Sequence, residues 1–173
     1  MAVNGIEAGK QHVAKQNLSK TVDLVVADAT DLSFPDNEFD IVIGHGVIHH
    51  TIKYPGIFEN LHRVMKPGSK AYFQENLADF PLWRLWWWWK GEVPDGDVPV
   101  FSKEVAEKAA MFSEVEIIGD TLFHSIKTIV YKPNMGVLRK SILKCTHKLD
   151  AALFSLFPGL RKWGSMSVIV LTK

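Results

Sequence analysis

Residues 22–50 read VDLVVADATDLSFPDNEFDIVIGHGVIHH, and this stretch decides the fold class. Residues 22–27 are rich in β-branched side chains and stop at Asp28; residues 39–43, FDIVI, repeat the pattern. Such runs suit strands buried on both faces, which parallel sheets require. Between them Ser33, Pro35, Asp36 and Asn37 supply turn chemistry, halting one element and starting the next.

Outward from this stretch the alternation continues. Residues 2–8 read as a strand ending in an acid, followed by a modest helical stripe through Val13 and Ala14. Downstream, Ile57, Leu61 and Val64 lie at helical spacing, and Lys66, Pro67 and Gly68 provide a basic last turn and a stop. Strands are expected at 71–77, 114–118 and 166–172. Ser102 is placed to cap a helix over 103–111, with Glu104 and Glu107 near its positive end. A long helix is expected over 137–157, with Leu138, Ile142, Cys145, Leu149, Leu153 and Leu156 on one side and Arg139, Lys140, Lys144 and Lys148 opposite. The expectation is an α/β chain, a doubly wound, mostly parallel sheet with helical insertions near its C-terminus.

The 173 residues suit a single domain, 1–80 forming a cofactor-binding part and 81–173 an acceptor-side part. The lone Cys145 rules out an internal disulfide and points to a reducing, cytoplasmic setting. Residues 1–18 carry Asn4, Glu7, Lys10, Gln11 and Lys15 where a secretory signal needs an apolar run, and no segment is long and apolar enough for a transmembrane helix. Formal net charge is +1, yet from Thr121 onward nine Lys or Arg face one acid, Asp150. That basic region suits an anionic substrate or an acidic membrane surface, and equally a plain solvated face.

Three groups of residues carry chemistry. Glu7 and Asp28 are read as acids ending consecutive strands, where a carboxylate accepts from a ribose diol or an adenine amino group; the bland alternative is a turn or cap. His45, His49 and His50 lie within six residues, but no acid or cysteine at matching spacing joins them, so no metal is expected. Between 83 and 89 five tryptophans occupy seven positions, and one helical face cannot bury them all. A lid over the acceptor, a membrane-interface belt and core packing all remain open for them.

The words ADATDLSFPDNEFDIVIGHGVIHH and LHRVMKPGSKAYFQE resemble the Rossmann-like, class I S-adenosylmethionine-dependent methyltransferases of the small-molecule type, closely over residues 4–74 and by architecture beyond. The resemblance implies S-adenosyl-L-methionine as cofactor. It implies that Glu7 binds the ribose hydroxyls, that Ala8 lies against the adenine, and that Asp28 and the N–H of Ala29 hold the adenine. His45 then lines the methionine site, and His49 or His50 faces the acceptor as a candidate general base. The family's first strand and glycine-rich loop have no counterpart, so an N-terminally truncated form of doubtful activity is expected. The function implied is methyl transfer to a small or amphipathic acceptor, with peripheral membrane contact a candidate and no nucleic-acid partner expected. The alternative is a non-catalytic, methyltransferase-like module for protein or membrane association.

Overall fold

The computed structural model describes residues 2–81, 100–123 and 136–173; the tryptophan cluster at 83–89 and residues 91–99 of the loop after it lie outside the described residues. The elements, in chain order, are α1 (Ala2–Lys15), β1 (Phe39–His45), α2 (Ile48–Thr51), α3 (Ile57–Val64), β2 (Met65–Asn76), α4 (Ser102–Lys108), β3 (Glu114–Thr121), α5 (Gly136–Leu156), a 3₁₀ helix (Pro158–Trp163) and β4 (Met166–Thr172).

The four strands lie in the order β1-β2-β4-β3. β1 pairs parallel with β2, while β4 runs antiparallel to both β2 and β3. Three strands therefore share a direction and their carboxyl ends meet along one edge. Among the described residues the sheet is therefore mixed, one pairing parallel and two antiparallel, where a mostly parallel one is expected; the Rossmann-like layering holds, with α5 inserted between the last two strands. Phe39 pairs with Met65 but Ile41 with Lys70, so residues 66–69 bulge from the ladder, with Gly68 at φ 77°. The KPGS turn thus lies inside β2 rather than ahead of it.

The core lies on one face of the sheet. Ala71 and Phe73 on β2 stand beside Ile169 and Leu171 on β4, all buried, with Val42, Val115 and Ile117 packed against them. Phe58 and Leu61 of α3 and Val105, Ala109 and Phe112 of the α4 region cover that face. Each fully buried side chain of this size contributes roughly 2 kcal/mol. At Gly44 an added Cβ would run into the Phe73 ring, so glycine there lets the aromatic lie flat against β1. The opposite face carries Ile41, Ile43, Tyr72 and Ile118, and Ile43 is 79% exposed.

Four expectations are corrected. Residues 2–8 form no strand but the first half of α1: Ile6, Gly9 and Val13 are the half-buried positions, a helical period that an alternating strand cannot supply. Residues 22–27 are not a strand either. Their backbone joins no ladder, and Val25 and Val26 are 55% and 60% exposed. β-branched composition makes a strand only beside a partner, and among the described residues β1 stands at one edge of the sheet with no strand beyond it.

Ser102 opens α4 instead of capping it; the Asp79 carboxylate accepts from its N–H at 2.9 Å and its hydroxyl at 3.1 Å. α5 is also rotated from the expected orientation. Thr146, Asp150 and Phe154 are its buried positions, while Cys145, Leu149 and Leu156 face outward. The reason is Asp150, whose Oδ1 accepts from the N–H groups of Leu122 and Phe123 at 3.0 and 3.4 Å and ties the helix to the end of β3.

Candidate active site

In a sheet of this kind ligands settle beyond the carboxyl ends of the parallel strands. β1 ends at His45, which pairs with Gln74, and Gly46 turns the chain with φ 62° while its N–H donates to the Gln74 carbonyl at 3.0 Å. A non-glycine residue resists that left-handed conformation. The turn leads directly into α2, so His45, His49 and His50 gather at this one edge.

The neighbouring strand supplies a group that the sequence reading missed. Glu75, next to last in β2, is 1% exposed. Its Oε1 accepts from the N–H groups of Val47 and Ile48 at 2.6 and 2.7 Å, and its Oε2 lies 2.8 Å from Nδ1 of His49. One buried carboxylate therefore caps α2 and holds an imidazole. The His50 ring, on the exposed side, lies against His49 with centroids 3.9 Å apart. A signal was available in the sequence: an acid at an inward, otherwise apolar position of a strand requires partners.

Asp28 sits in a tight turn bridged to Asp31. Its Oδ1 accepts from the N–H and the hydroxyl of Thr30, both at 2.8 Å, and the Thr30 N–H first, then its hydroxyl, hold the carboxyl below its ordinary range. Asn60, in the first turn of α3, donates to the Thr30 carbonyl at 2.6 Å, and Arg63 grips the carbonyls of Leu32 and Phe34 and the Asp36 carboxylate. These bonds lay residues 30–36 along α3, whose first turn opens toward the carboxyl edge. Asp28, exposed, and Ala29, half-buried, stand at that end.

Glu7 and Ala8 do not join this group as strand-end residues. Both are exposed on α1, which packs through Gly9 against Leu24. Among the described residues no group of three His, Cys, Asp or Glu forms a metal site, and no helix is long and apolar enough to cross a membrane.

The donor set suits an adenosine in part. An exposed, ionised acceptor at Asp28 matches an amino group, and the Gly46 turn admits close approach of a ligand to backbone. Glu7, the ribose partner that the resemblance implies, lies on α1 with its side chain exposed rather than at a strand end.

Comparison with known proteins agrees with this geometry. Residues 2–73 match the family model described as a methyltransferase domain. The chain is 31% identical over 91 residues to a 2-phytyl-1,4-naphtoquinone methyltransferase of Nostoc, covering 50% of this chain and 39% of that protein. It is 36% identical over 64 residues to a sterol 24-C-methyltransferase of Gibberella zeae, covering 37% and 17%. The chain thus spans less than half the length of these curated relatives. A phosphoethanolamine N-methyltransferase of Haemonchus contortus, solved with S-adenosyl-L-methionine, superposes with a TM-score of 0.52 over 93% of this chain and 40% of that one, at 16% identity, a likeness of fold. Over residues 2–73 the chain is thus similar to a methyltransferase domain, and its fold is like that of a methyltransferase solved with S-adenosyl-L-methionine.

Proposed function

We propose that this chain serves methyl transfer from S-adenosylmethionine to a small, amphipathic acceptor, one with a reactive head and a hydrocarbon tail. The observation that carries the reading is the methyltransferase-domain match over residues 2–73, which spans the Asp28 turn, β1 and the histidine segment. The acceptor class is supported by the relatives, whose names carry a phytyl naphthoquinone and a sterol. When bound, the cofactor supplies a methyl carbon on a sulfonium; the acceptor's electron pair takes that carbon as the C–S pair returns to sulfur. The chain's own tasks are then orientation, exclusion of water and placement of the acceptor's proton.

Asp28 and Ala29 hold the adenine end in this reading, His45 lines the methionine end, and the α2 histidines face the acceptor. The outward side of α5 and the 3₁₀ segment after it fit contact with a membrane surface. Leu149, Leu156 and Phe157 are 48%, 72% and 59% exposed, and Lys144, Lys148 and Lys162 accompany them. Exposed apolar groups flanked by cations suit an anionic lipid interface.

Incubation with tritiated S-adenosylmethionine and anionic vesicles holding a demethylated polyprenyl naphthoquinol tests the proposal. Label is expected in the lipid extract. Label only in water-soluble phosphoethanolamine supplied alongside, or in neither, contradicts it.

A further inference from the structure

We infer that the end of α5 and the 3₁₀ helix after it form a wedge that inserts into an anionic bilayer and sets the carboxyl edge of the sheet at the level of the lipid headgroups. The wedge deepens the methyl-transfer reading above, on which it rests for the acceptor, by supplying the route along which that acceptor arrives. Cys145, Leu149, Ala152 and Leu156 recur every three or four residues, so they stand one above the other on α5, and all are exposed. The stripe runs on into Phe157, Pro158 and Gly159, also exposed, and Trp163, 38% exposed, closes the 3₁₀ helix. Exposed apolar residues scattered singly are ordinary on a protein surface. A continuous run of them with a tryptophan, whose ring joins an apolar body to a polar N–H, suits the boundary between headgroup and acyl chain.

The charges select an anionic surface. Lys144 and Lys148 flank the stripe, and Arg161 and Lys162 are exposed beside Trp163, with Lys162 Nζ 4.8 Å from the centre of its ring. The one acid between Thr121 and Lys173 is Asp150, which is 2% exposed and turned onto the N–H groups of Leu122 and Phe123. No carboxylate of these residues therefore repels a negatively charged headgroup, while each lysine near it adds attraction.

The wedge is also tied to the site. Arg161 donates to the Gly119 carbonyl, and the N–H of Ser165 donates to the Thr121 carbonyl at 2.8 Å while its own carbonyl accepts from Leu77 at 3.0 Å. Thr121 ends β3 and Leu77 follows β2, so Trp163 stands just before the carboxyl edge where His45 and Glu75 also lie. A tailed acceptor then reaches that edge from the lipid side, its hydrocarbon never exposed to water.

Co-sedimentation of the full chain with vesicles of phosphatidylcholine, alone or mixed with phosphatidylglycerol, is the test. Partitioning should be about tenfold or more stronger on the mixed vesicles and should weaken as salt rises. Leu156→Ser combined with Phe157→Ser, both at exposed positions that the fold tolerates, should lower it about tenfold or more. In a Cys145→Ser, Gly159→Cys form, a fluorescent label at position 159, where nothing lies within 4 Å of an added Cβ, should be quenched by nitroxide-bearing lipids. Equal partitioning on the two vesicle types, full binding by the double variant, or a label that those lipids leave unquenched overturns the inference. So does a dimer of the free chain, seen by light scattering, that the double variant dissociates, since the stripe would then be a protein interface. Vesicle binding as expected with no methyl transfer to the naphthoquinol supports the wedge and counts against the functional reading instead.

Discussion

Replacing Glu75 by alanine is expected to lower folding stability by about 3 kcal/mol, read from the shift of the urea midpoint at unchanged slope. The truncation leaves three groups without their acceptor: the N–H groups of Val47 and Ile48 and the Nδ1 of His49. Ile48 is 2% exposed, so water does not readily replace the lost partner. A loss of this size is a large share of the total stability of a typical domain, about 5–15 kcal/mol. A midpoint shift below about 1 kcal/mol would mean that α2 holds itself, and that the carboxylate is no anchor.

The second large effect is expected at Gly119, near the end of β3. A Cβ added there collides with the carbonyl oxygen of Arg161 and comes within 2.9 Å of its carbon and 3.0 Å of the Gly164 Cα. The obstacles are backbone atoms, which cannot rotate away. Arg161 also donates to the Gly119 carbonyl at 2.9 Å, so the 3₁₀ helix and β3 are pinned at their closest approach. Gly119→Ala should cost about 3 kcal/mol. Gly159→Ala, in the same 3₁₀ helix, is the control: nothing lies within 4 Å of the added Cβ, and the expected change is within about 0.5 kcal/mol. Equal midpoints for the two variants would refute the close packing of β3 on this helix.

The parts of the fold that were legible from the sequence are those whose local pattern and tertiary setting agree. FDIVIGH, the Ile57–Val64 helix and the final strand form where their patterns place them, although Ile41 and Ile43 of FDIVIGH, expected to be buried, face outward. Residues 22–27 failed because β-branched composition is half of what a strand requires; the other half is a neighbour, and among the described residues they pair with none. α1 was misread at its start because a short apolar run ending in an acid resembles a strand, while the Ile6, Gly9, Val13 period resolves only over a longer window. The rotation of α5 follows from a buried acid, Asp150, outweighing a leucine stripe, and hydropathy alone cannot rank those two.

The site was legible to a similar degree. The histidine cluster is recognisable from spacing, and the structure places it where β1 ends and α2 follows. Glu75 was not singled out because it lies 26 positions from the histidine it touches, on a strand whose pairing with β1 creates the contact. Glu7 was assigned by analogy to a strand end, and the structure places it on α1 instead.

The central claim is that S-adenosylmethionine is held along the carboxyl edge formed by β1, β2 and the Asp28 turn. Amide ¹⁵N–¹H spectra of the chain recorded during titration with S-adenosylhomocysteine test it most directly, since they register weak as well as tight binding. The account predicts saturable shifts at Asp28, Ala29 and Thr30 and from His45 to His49, all reduced in Asp28→Ala. No shifts at millimolar ligand, or shifts confined to α5 and the 3₁₀ helix, would contradict it.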